Sequence, residues 1–404
     1  MTNCVITSAT RTAVGGYLGS LKTVEAQDLA SAVLKEAAKK SNINLDQIDQ
    51  VVMGDVYGYT PNVARCASLI AGIPESTPAY TVDRQCASSL QAVVSAVQEI
   101  MSQEAEIMLA GGVEVMSRLT YYLDPSTRAE PFKMGNKTIY DTFFNGVTIV
   151  QPKSLYPELN MGLTAENIAE RYKITREEQD RFAIDSQRKM KVAMDEGKFK
   201  DEIIPYEVKL KKRSYIFDTD EHPRPDTTME TLTKLKPAFK TGGTVTAGNS
   251  SGMNDGASAV VVMSEEKAKE LGCDPLVKII SYSSVGVDPS VMGLGPVPAI
   301  KKALEKANLT LEDIDLFEIN EAFASQSLGV LKELGMDMGS KLYERVNVNG
   351  GAIAHGHALA NSGTRLLTTL IYELKRRGGR YGVVSLCIGG GQGMALVVEN
   401  CQYC

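Results

Sequence analysis

Long apolar runs and a secretory leader are the first features that this sequence lacks. No apolar stretch in its 404 residues approaches the roughly 18 to 20 residues that span a bilayer. The opening MTNCVITSATRTAVGG does not have the charged and then apolar layout of a secretory signal. These features predict a cytoplasmic protein without a membrane partner, although removal of an organellar presequence would leave the same pattern.

Positive charge is also in short supply. Lysine and arginine number 43 against 49 aspartates and glutamates, which gives a formal charge of −6. Nucleic acids and anionic membranes attract basic proteins, so neither is expected as a partner. The composition, 43% hydrophobic and 23% charged, is that of a globular chain. Its length predicts two to three domains at about 100 to 200 residues each.

Cysteine is scarce, and its seven residues are odd in number. An odd number of cysteines scattered over a long chain favours reduced thiols over a disulfide framework. The residues that could carry chemistry are therefore sought among free thiols and the three histidines.

An internal repeat organises the chain. The stretch NINLDQIDQVVMGDV from Asn42 aligns without a gap with NLTLEDIDLFEINEA from Asn308. Each follows an amphipathic helical run and precedes a strand-like segment, a second helix and a strand that ends in glycines. Alternating strands and helices predict a layered α/β architecture with two similar halves packed together. We place the first half at residues 1–120 plus 242–272 and the second at residues 273–404.

Residues 121–241 differ in texture from both halves. Prolines, aromatic residues and charges cluster there, with one helical segment from Thr164 to Asp195. Because loops on a rigid scaffold commonly carry binding residues, this insertion is expected to carry specificity. A variable surface without function is the alternative.

Cys86 directly precedes a run of apolar residues with helical spacing. A sulfur at a helix N-terminus faces unpaired amides and the positive end of the helix dipole, which can lower the pKa of a cysteine. Such a thiol is a candidate nucleophile. Taken alone, the segment favours the alternative, a cysteine that is simply a small buried hydrophobic residue.

Two of the three histidines, His355 and His357, lie in the glycine-rich segment NVNGGAIAHGHALANSGTR. Glycines let the backbone approach a substrate, and a histidine is the usual group that takes a proton from a thiol. A structural turn with a surface histidine is the alternative. The third, His222, lies in the charged insertion and is expected to be solvated.

Two further segments end in polar residues after strand-like runs. Cys387 stands in VVSLCIGGGQG, where the following amides could bind an oxyanion. Asn320 opens NEAFA, where it could anchor a water or cap a helix. Two cysteines and a histidine suggest zinc ligation or two-thiol acid/base chemistry. No short cysteine pair lies within either motif, so no metal site is predicted.

Together these segments resemble the thiolase family, in the family's order and over nearly the whole chain, and most closely its biosynthetic acetoacetyl-CoA branch. LNMGLTAENIAERY and KLKPAFKTGGTVTAGNSSGMNDGAS also look like thiolase sequence. The resemblance implies two βαβαβ halves in a five-layered αβαβα core, with a loop domain inserted in the first half. It also implies a reversible reaction in which two acetyl-CoA give acetoacetyl-CoA and CoA, or in which a 3-ketoacyl-CoA is cleaved.

By resemblance, His357 deprotonates Cys86, which takes up the acyl group as a thioester, and Cys387 is the second acid/base. The family pattern assigns one oxyanion site to His357 and a water held by Asn320. It assigns the other to the amides of Cys86 and Gly389. No permanently bound cofactor is implied, because CoA and acyl-CoA are substrates. The implied assembly is a homotetramer, a dimer of dimers. The positions matched to CoA and substrate contacts are Arg224, Ser251, Met161 and Phe323.

Some positions depart from the family pattern without removing a catalytic residue, and several of them could reshape the pocket. These are Asp83, Ser89, Asn160, His355, Ala358, Ala360 and Gln392. Broader or unusual 3-ketoacyl-CoA substrates, and a catalytically silent acyl-CoA-binding protein, are therefore alternatives. A decarboxylating condensing enzyme would use two well-separated catalytic histidines, which the spacing of His355 and His357 does not offer. A zinc-binding structural protein is the remaining alternative.

Overall fold

The computed structural model describes residues 3–124, 126–129 and 132–403. The first half begins with β1 (Cys4–Thr12), β2 (Gly15–Gly16), α1 (Ala26–Lys40), β3 (Gln50–Gly54), α2 (Val63–Ala71), β4 (Ala79–Val82), α3 (Ser88–Met101) and β5 (Ile107–Val115). The insertion contains β6 (Tyr121–Leu123), α4 (Ser126–Ala129), β7 (Ile139–Asp141), α5 (Thr142–Ile149), α6 (Met161–Tyr172), α7 (Arg176–Asp195), β8 (Ile203–Ile204), β9 (Tyr206–Lys209), β10 (Ser214–Phe217) and α8 (Met229–Thr233).

The chain then completes the first half and builds the second. The first half ends with β11 (Asn254–Ser264) and α9 (Glu265–Leu271). The second half contains β12 (Val277–Gly286), α10 (Pro296–Ala307), β13 (Leu316–Ile319), α11 (Ala324–Glu333), α12 (Ala352–His355), α13 (Ser362–Arg377), β14 (Tyr381–Ile388) and β15 (Gln392–Asn400).

The two halves share one strand order, which confirms the duplication predicted from the repeat. The first half runs β4-β3-β5-β11-β1 and the second runs β13-β14-β15-β12. In each half the final strands pair antiparallel, whereas β3 with β5 and β13 with β14 are parallel. A parallel bridge from Phe317 to Val346 takes the place of a fifth strand in the second half. β1 and β12 pair antiparallel at the junction and join the halves into one sheet.

Three apolar clusters, one central and two outer, hold together the five layers of helix and sheet. Successive residues of β1 point to opposite faces, so Val5 packs in an outer cluster and Ile6 in the central one. The outer cluster of the first half lies under α1 and α2, and that of the second half lies under α10 and α11. The central cluster is built from α3 and α13 between the two halves of the sheet, and includes Leu90, Val93, Leu366, Leu370 and Val398.

The helix expected from Thr164 to Asp195 is two helices. α6 ends at Tyr172, and the residue that caps it, Lys173, has a left-handed φ of 53°. α7 starts after Thr175, whose side chain accepts from the Glu178 amide while Glu178 bonds back to Thr175. This reciprocal cap satisfies the free amides of a new helix start, so the chain turns there. Among the described residues no helix is long and apolar enough to cross a bilayer.

Candidate active site

A cavity of about 420 Å³ brings together residues from both halves and the insertion. Cys86, His357, Cys387 and Gly389 line it. Much of the remaining wall is aromatic or contains methionine, and includes Tyr57, Met161, Phe239, Met253 and Phe323. Thus residues predicted separately from three distant sequence blocks meet at one largely apolar site.

A sharp backbone turn places the sulfur of Cys86 in this cavity. Gln85 has a left-handed φ of 47°, and its amide donates to Asp83 Oδ1 at 2.7 Å. The turn Gln85–Ala87 leads directly into α3 at Ser88. The aspartate side chain therefore stabilises a backbone conformation that only a few residue types adopt readily.

The thiol of Cys86 is held in its protonated form, contrary to the lowered pKa expected from a helix N-terminus. Burial first, and then the charges of Glu114 and Asp83, raise its pKa to about 11. The amides of Gly389 and of Cys86 itself act in the opposite direction. Desolvation exceeds the helix contribution because the charged sulfur would lose its water in an apolar cavity.

His357 is held in one tautomer. Its Nδ1 lies 2.6 Å from the Ser362 hydroxyl, whose single proton is donated to the carbonyl of Ala358 at 2.9 Å. The hydroxyl must therefore accept from Nδ1–H, which leaves a lone pair on Nε2. Burial lowers the pKa of His357 to about 4, and Arg365 lowers it as well. The imidazole is therefore uncharged at neutral pH and is able to act as a base.

The backbone of His357 is fixed from the first half. Its amide donates to Asn254 Oδ1 at 2.9 Å, and Asn254 Nδ2 donates to the carbonyl of Gly15. The preceding Gly356 has φ 99°, and a Cβ there would lie 2.5 Å from Asn254 Cγ. Only glycine fits both that conformation and that close approach.

Asn320 is fully buried at the end of β13 and faces His357. Its side-chain amide lies 3.5 Å from His357 Nε2. Its Oδ1 has no hydrogen-bond partner among the described atoms. Because α11 begins at Ala324 with Phe323 as its cap residue, the alternative of Asn320 as a helix cap is wrong. A free, buried acceptor is suited to holding a water.

Cys387 lies near the end of β14, before the turn to β15. It is fully buried, and burial followed by the charge of Cys86 raises its pKa. Gly390 and Gly391 have left-handed φ values of 83° and 86°, and the amide of Gly389 points at the Cys86 sulfur. This glycine turn sets a second thiol and an amide donor beside the first thiol.

Three of the four residues matched to CoA contacts line the cavity. Met161 is the first residue of α6, Phe323 packs edge-to-face against Phe239 at 5.9 Å between ring centroids, and Ser251 also lines the cavity. Arg224 is exposed and does not line the cavity, and its amide donates to Gln187 Oε1 at 2.9 Å.

Two histidine expectations are corrected by the structure. His222 is partly buried rather than solvated, because its ring packs against Gly252. His355 is fully buried outside the cavity, with Nε2 3.1 Å from Asp220 Oδ2. Asp220 also accepts a hydrogen bond from Arg11, so His355 belongs to a buried network of charged groups. Burial lowers the pKa of His355 to about 3.

Most departures from the family pattern lie outside the cavity wall. Of Asp83, Ser89, Asn160, His355, Ala358, Ala360 and Gln392, all within the described ranges, only Asn160 lines it. Asn160 caps α6 by accepting from the Leu163 amide at 3.0 Å. Ser89 instead connects the halves, since its hydroxyl accepts from the Thr364 amide at 2.9 Å.

Sequence reasoning missed Ser362, Asn254 and Glu114. Ser362 had a local signal, since it follows His357 by five residues in the same motif. Asn254 and Glu114 had none, because they reach the site from distant strands. Within the described part of the chain, no three histidine, cysteine, aspartate or glutamate side chains are grouped to hold a metal ion.

Comparison with known proteins agrees with this architecture. Residues 4–266 match the family "Thiolase, N-terminal domain" and residues 273–400 match "Thiolase, C-terminal domain". The chain is 50% identical to an acetyl-CoA acetyltransferase of Syntrophomonas wolfei, covering 98% of each chain. Its structure resembles the crystal structure of the Bacillus anthracis acetyl-CoA acetyltransferase, with TM-score 0.93, 46% identity and 99% of each chain covered.

A structure of human mitochondrial 3-ketoacyl-CoA thiolase in complex with CoA is also similar. Its TM-score is 0.91 at 43% identity, with 99% of this chain and 98% of that chain covered. The duplicated fold and the cavity with its thiols and imidazole define an acyltransferase. The chain belongs to the thiolase family.

Proposed function

We propose that the chain catalyses the reversible condensation of two acetyl-CoA to acetoacetyl-CoA and CoA, through an acyl thioester on Cys86. The observation that carries this proposal is the meeting of Cys86, His357 and Cys387 in one cavity. The names of its relatives, acetyl-CoA acetyltransferases of several bacteria, support acetyl-CoA as the substrate.

In the first half-reaction Cys86 attacks the thioester carbonyl while His357 Nε2 takes the thiol proton. The pKa of Cys86 is about 11 and that of His357 about 4, so proton transfer accompanies attack instead of preceding it. The amides of Cys86 and Gly389 are placed to bind the carbonyl oxygen as it becomes negative. Collapse of the tetrahedral intermediate expels the CoA sulfur, which takes a proton from Cys387.

After these proton transfers, Cys387 and His357 are in the protonation states that the second half-reaction needs. Cys387 is now a thiolate and removes a proton from the methyl carbon of a second acetyl-CoA. The enolate oxygen is bound by the protonated His357 and by a water held on the free Oδ1 of Asn320. The carbanion attacks the acyl-Cys86 carbonyl, and the departing Cys86 sulfur recovers its proton from His357. Thiolysis is the same sequence in reverse.

We propose that residues 121–241 form the loop domain that binds CoA and sets specificity, between halves at 1–120 plus 242–272 and 273–404. Met161 and Phe239 from this insertion line the cavity. With Ser251 and Phe323 they form an apolar channel suited to the pantetheine arm. Arg224 is exposed outside that channel. We propose that it binds the nucleotide end of CoA, whose phosphates attract a positive charge and remain in contact with water.

We further propose a homotetramer, a dimer of dimers. Large apolar side chains stand exposed on one part of the insertion, where water-facing hydrophobic patches usually mark interfaces. They are Tyr121, Phe132, Met134, Ile139 and Leu155. A cytoplasmic location is proposed as well, supported by the six cysteines that the structure describes, which are all free thiols.

The experiment is CoA-dependent loss of acetoacetyl-CoA by the purified protein, beside Cys86→Ala and against longer and branched 3-ketoacyl-CoAs. We expect turnover that Cys86→Ala abolishes, with acetoacetyl-CoA preferred. Radiolabelled acetyl-CoA should leave label on the Cys86 peptide of the wild type. Absence of both turnover and label would refute the proposal, and turnover restricted to longer chains would refute acetoacetyl-CoA as the substrate.

A further inference from the structure

A buried carboxyl group that the proposed reaction does not use lies beside Cys86. Glu114 stands on β5 with 1% of its surface exposed. Its charge is one of the contributions that raise the pKa of the Cys86 thiol. A carboxylate beside a nucleophilic thiol opposes formation of the thiolate, so its presence requires a reason.

The hydrogen bonds of Glu114 supply one. Its Oε1 accepts from the amide of Tyr57 at 3.2 Å, and its Oε2 accepts from the amide of Ala360 at 3.2 Å. Tyr57 lines the cavity from the first half, and Leu359, next to Ala360, lines it from the second. One side chain thus ties together two loops that line the cavity into which the sulfur points.

The surrounding backbone leaves little freedom at this tie. A Cβ on Gly112 would lie 2.1 Å from the carbonyl oxygen of Ala360, so β5 and the loop after His357 touch backbone to backbone. The loop carrying Tyr57 is fastened by Asp55, whose Oδ1 accepts from the Gly58 amide at 3.1 Å. The loop carrying Tyr57 is held by hydrogen bonds to Asp55 and Glu114. The loop after His357 is held by a hydrogen bond to Glu114 and by its backbone contact with β5.

Other titratable groups face Glu114 from two neighbouring segments. Asp55 and Tyr57 face it from the loop after β3, and Cys86 from the turn before α3. Burial and Asp55 raise the pKa of Glu114 to about 8. Cys86 loses its proton at higher pH than this, so Glu114 is ionised when the thiol titrates. Asp83 acts on Cys86 in the same direction.

We propose that Glu114 is a positioning residue whose carboxyl group ties together the two loops that line the cavity beside Cys86. This tie holds the cavity wall and the loop that follows His357 in place around the sulfur. This role is separate from the proton transfers of the proposed reaction. This inference rests on the proposed role of Cys86 as the nucleophile.

Two substitutions test the tie. Glu114→Gln removes the charge and keeps one acceptor, so only one of the two amides stays bound. Glu114→Asp keeps the charge but is one methylene shorter, so it cannot span both amides. The control is Glu305→Gln, an exposed glutamate on α10. Thermal unfolding of each variant shows whether it is folded.

The readouts are kcat and KM for thiolysis, and the pH profile of Cys86 alkylation by iodoacetamide, followed on the Cys86 peptide by mass spectrometry. We expect Glu114→Gln to move the alkylation profile about one pH unit lower, because a nearby negative charge is removed. We expect both Glu114 variants to lower kcat about tenfold or more, with Glu114→Asp leaving the alkylation profile in place. Glu305→Gln should change neither.

If Glu114→Gln does not fold, Glu114→Asp carries the test alone, since it also breaks the tie. An unmoved alkylation profile in folded Glu114→Gln would overturn the placement of the carboxyl group beside the sulfur. Wild-type kcat in Glu114→Asp overturns the tie. Alkylation does not require turnover, so failure of this inference is distinguishable from an inactive wild type, which would refute the proposed function itself.

Discussion

His357 Nδ1 and Ser362 Oγ lie 2.6 Å apart, and the Ser362 hydroxyl donates a hydrogen bond to the carbonyl of Ala358. This pair fixes which nitrogen of the imidazole can accept a proton from Cys86. The base is therefore oriented by a hydroxyl five residues along the chain, and within the described residues its ring has no carboxylate partner.

Removing the hydroxyl should reduce catalysis without removing the base. Ser362→Ala leaves Nδ1–H without its acceptor, so the ring can rotate or adopt the other tautomer. We expect kcat to fall about 10- to 100-fold with little change in KM, measured by acetoacetyl-CoA thiolysis. Ser362→Thr, which keeps the hydroxyl, is the matched control. Full activity in Ser362→Ala would show that Ser362 does not orient the ring.

Asn320 should matter for one half-reaction more than for the other. Asn320→Ala removes the free acceptor proposed to hold the enolate-binding water, while Cys86 and the Gly389 amide stay in place. Loss of one such donor group costs about 2.7 to 4 kcal/mol in the transition state. We expect kcat for condensation to fall by about two orders of magnitude, with radiolabelled acetylation of Cys86 retained. Equal loss of acetylation would contradict this division.

The acid limit of activity should lie unusually low. The proposed base must be neutral, and burial lowers the pKa of His357 from its ordinary value of 6.5 to about 4. Because a lowered pKa keeps the imidazole neutral down to more acidic pH, kcat/KM should not fall on protonation of His357 between pH 7 and pH 5. A pH profile of thiolysis on protein shown to remain folded provides the measurement. An acid limb centred near 6.5 would contradict burial of the ring.

The buried ion network should be costly to break. Asp220 accepts two hydrogen bonds from the Arg11 guanidinium, at 2.8 and 2.9 Å, with both side chains buried. Asp220→Ala leaves that cation without this partner, and we expect the free energy of unfolding to fall by about 3 to 5 kcal/mol. Glu230→Ala, which breaks an exposed pair with Lys234, should cost less than about 1 kcal/mol. Denaturant unfolding compares the two, and similar losses would count against the network.

The exposed apolar patch of the insertion provides a test of assembly. Ile139 is exposed on β7. Changing it to Glu would place a charge in the proposed interface. We expect Ile139→Glu to convert a tetramer into dimers, measured by light scattering after size exclusion. Ile216→Glu, at an exposed position on β10 in the same insertion, is the control. An unchanged mass for Ile139→Glu would remove this patch from the interface.

The sequence allowed the duplicated halves and the residues of the cavity to be predicted because both leave local traces. The repeat at Asn42 and Asn308 marks equivalent supersecondary units, and Cys86, His357 and Cys387 each stand in a distinctive motif. Ionisation could not be predicted in this way. The raised pKa of Cys86 depends on burial and on Glu114, which comes from another strand. The buried position of His355 beside Asp220 likewise depends on packing between distant segments.

The matching turns before α3 and α13 show how the two copies of the fold have diverged. Cys86 stands two residues before Ser88, where α3 begins, and Ala360 stands two residues before Ser362, where α13 begins. Both lie in the middle of a short helical turn, Gln85–Ala87 and Leu359–Asn361. The second copy has the same turn with alanine where the first has the cysteine, and the imidazole of His357 stands just ahead of that turn. A symmetrical ancestor would have had two equivalent positions, and the present chain divides one reaction between them.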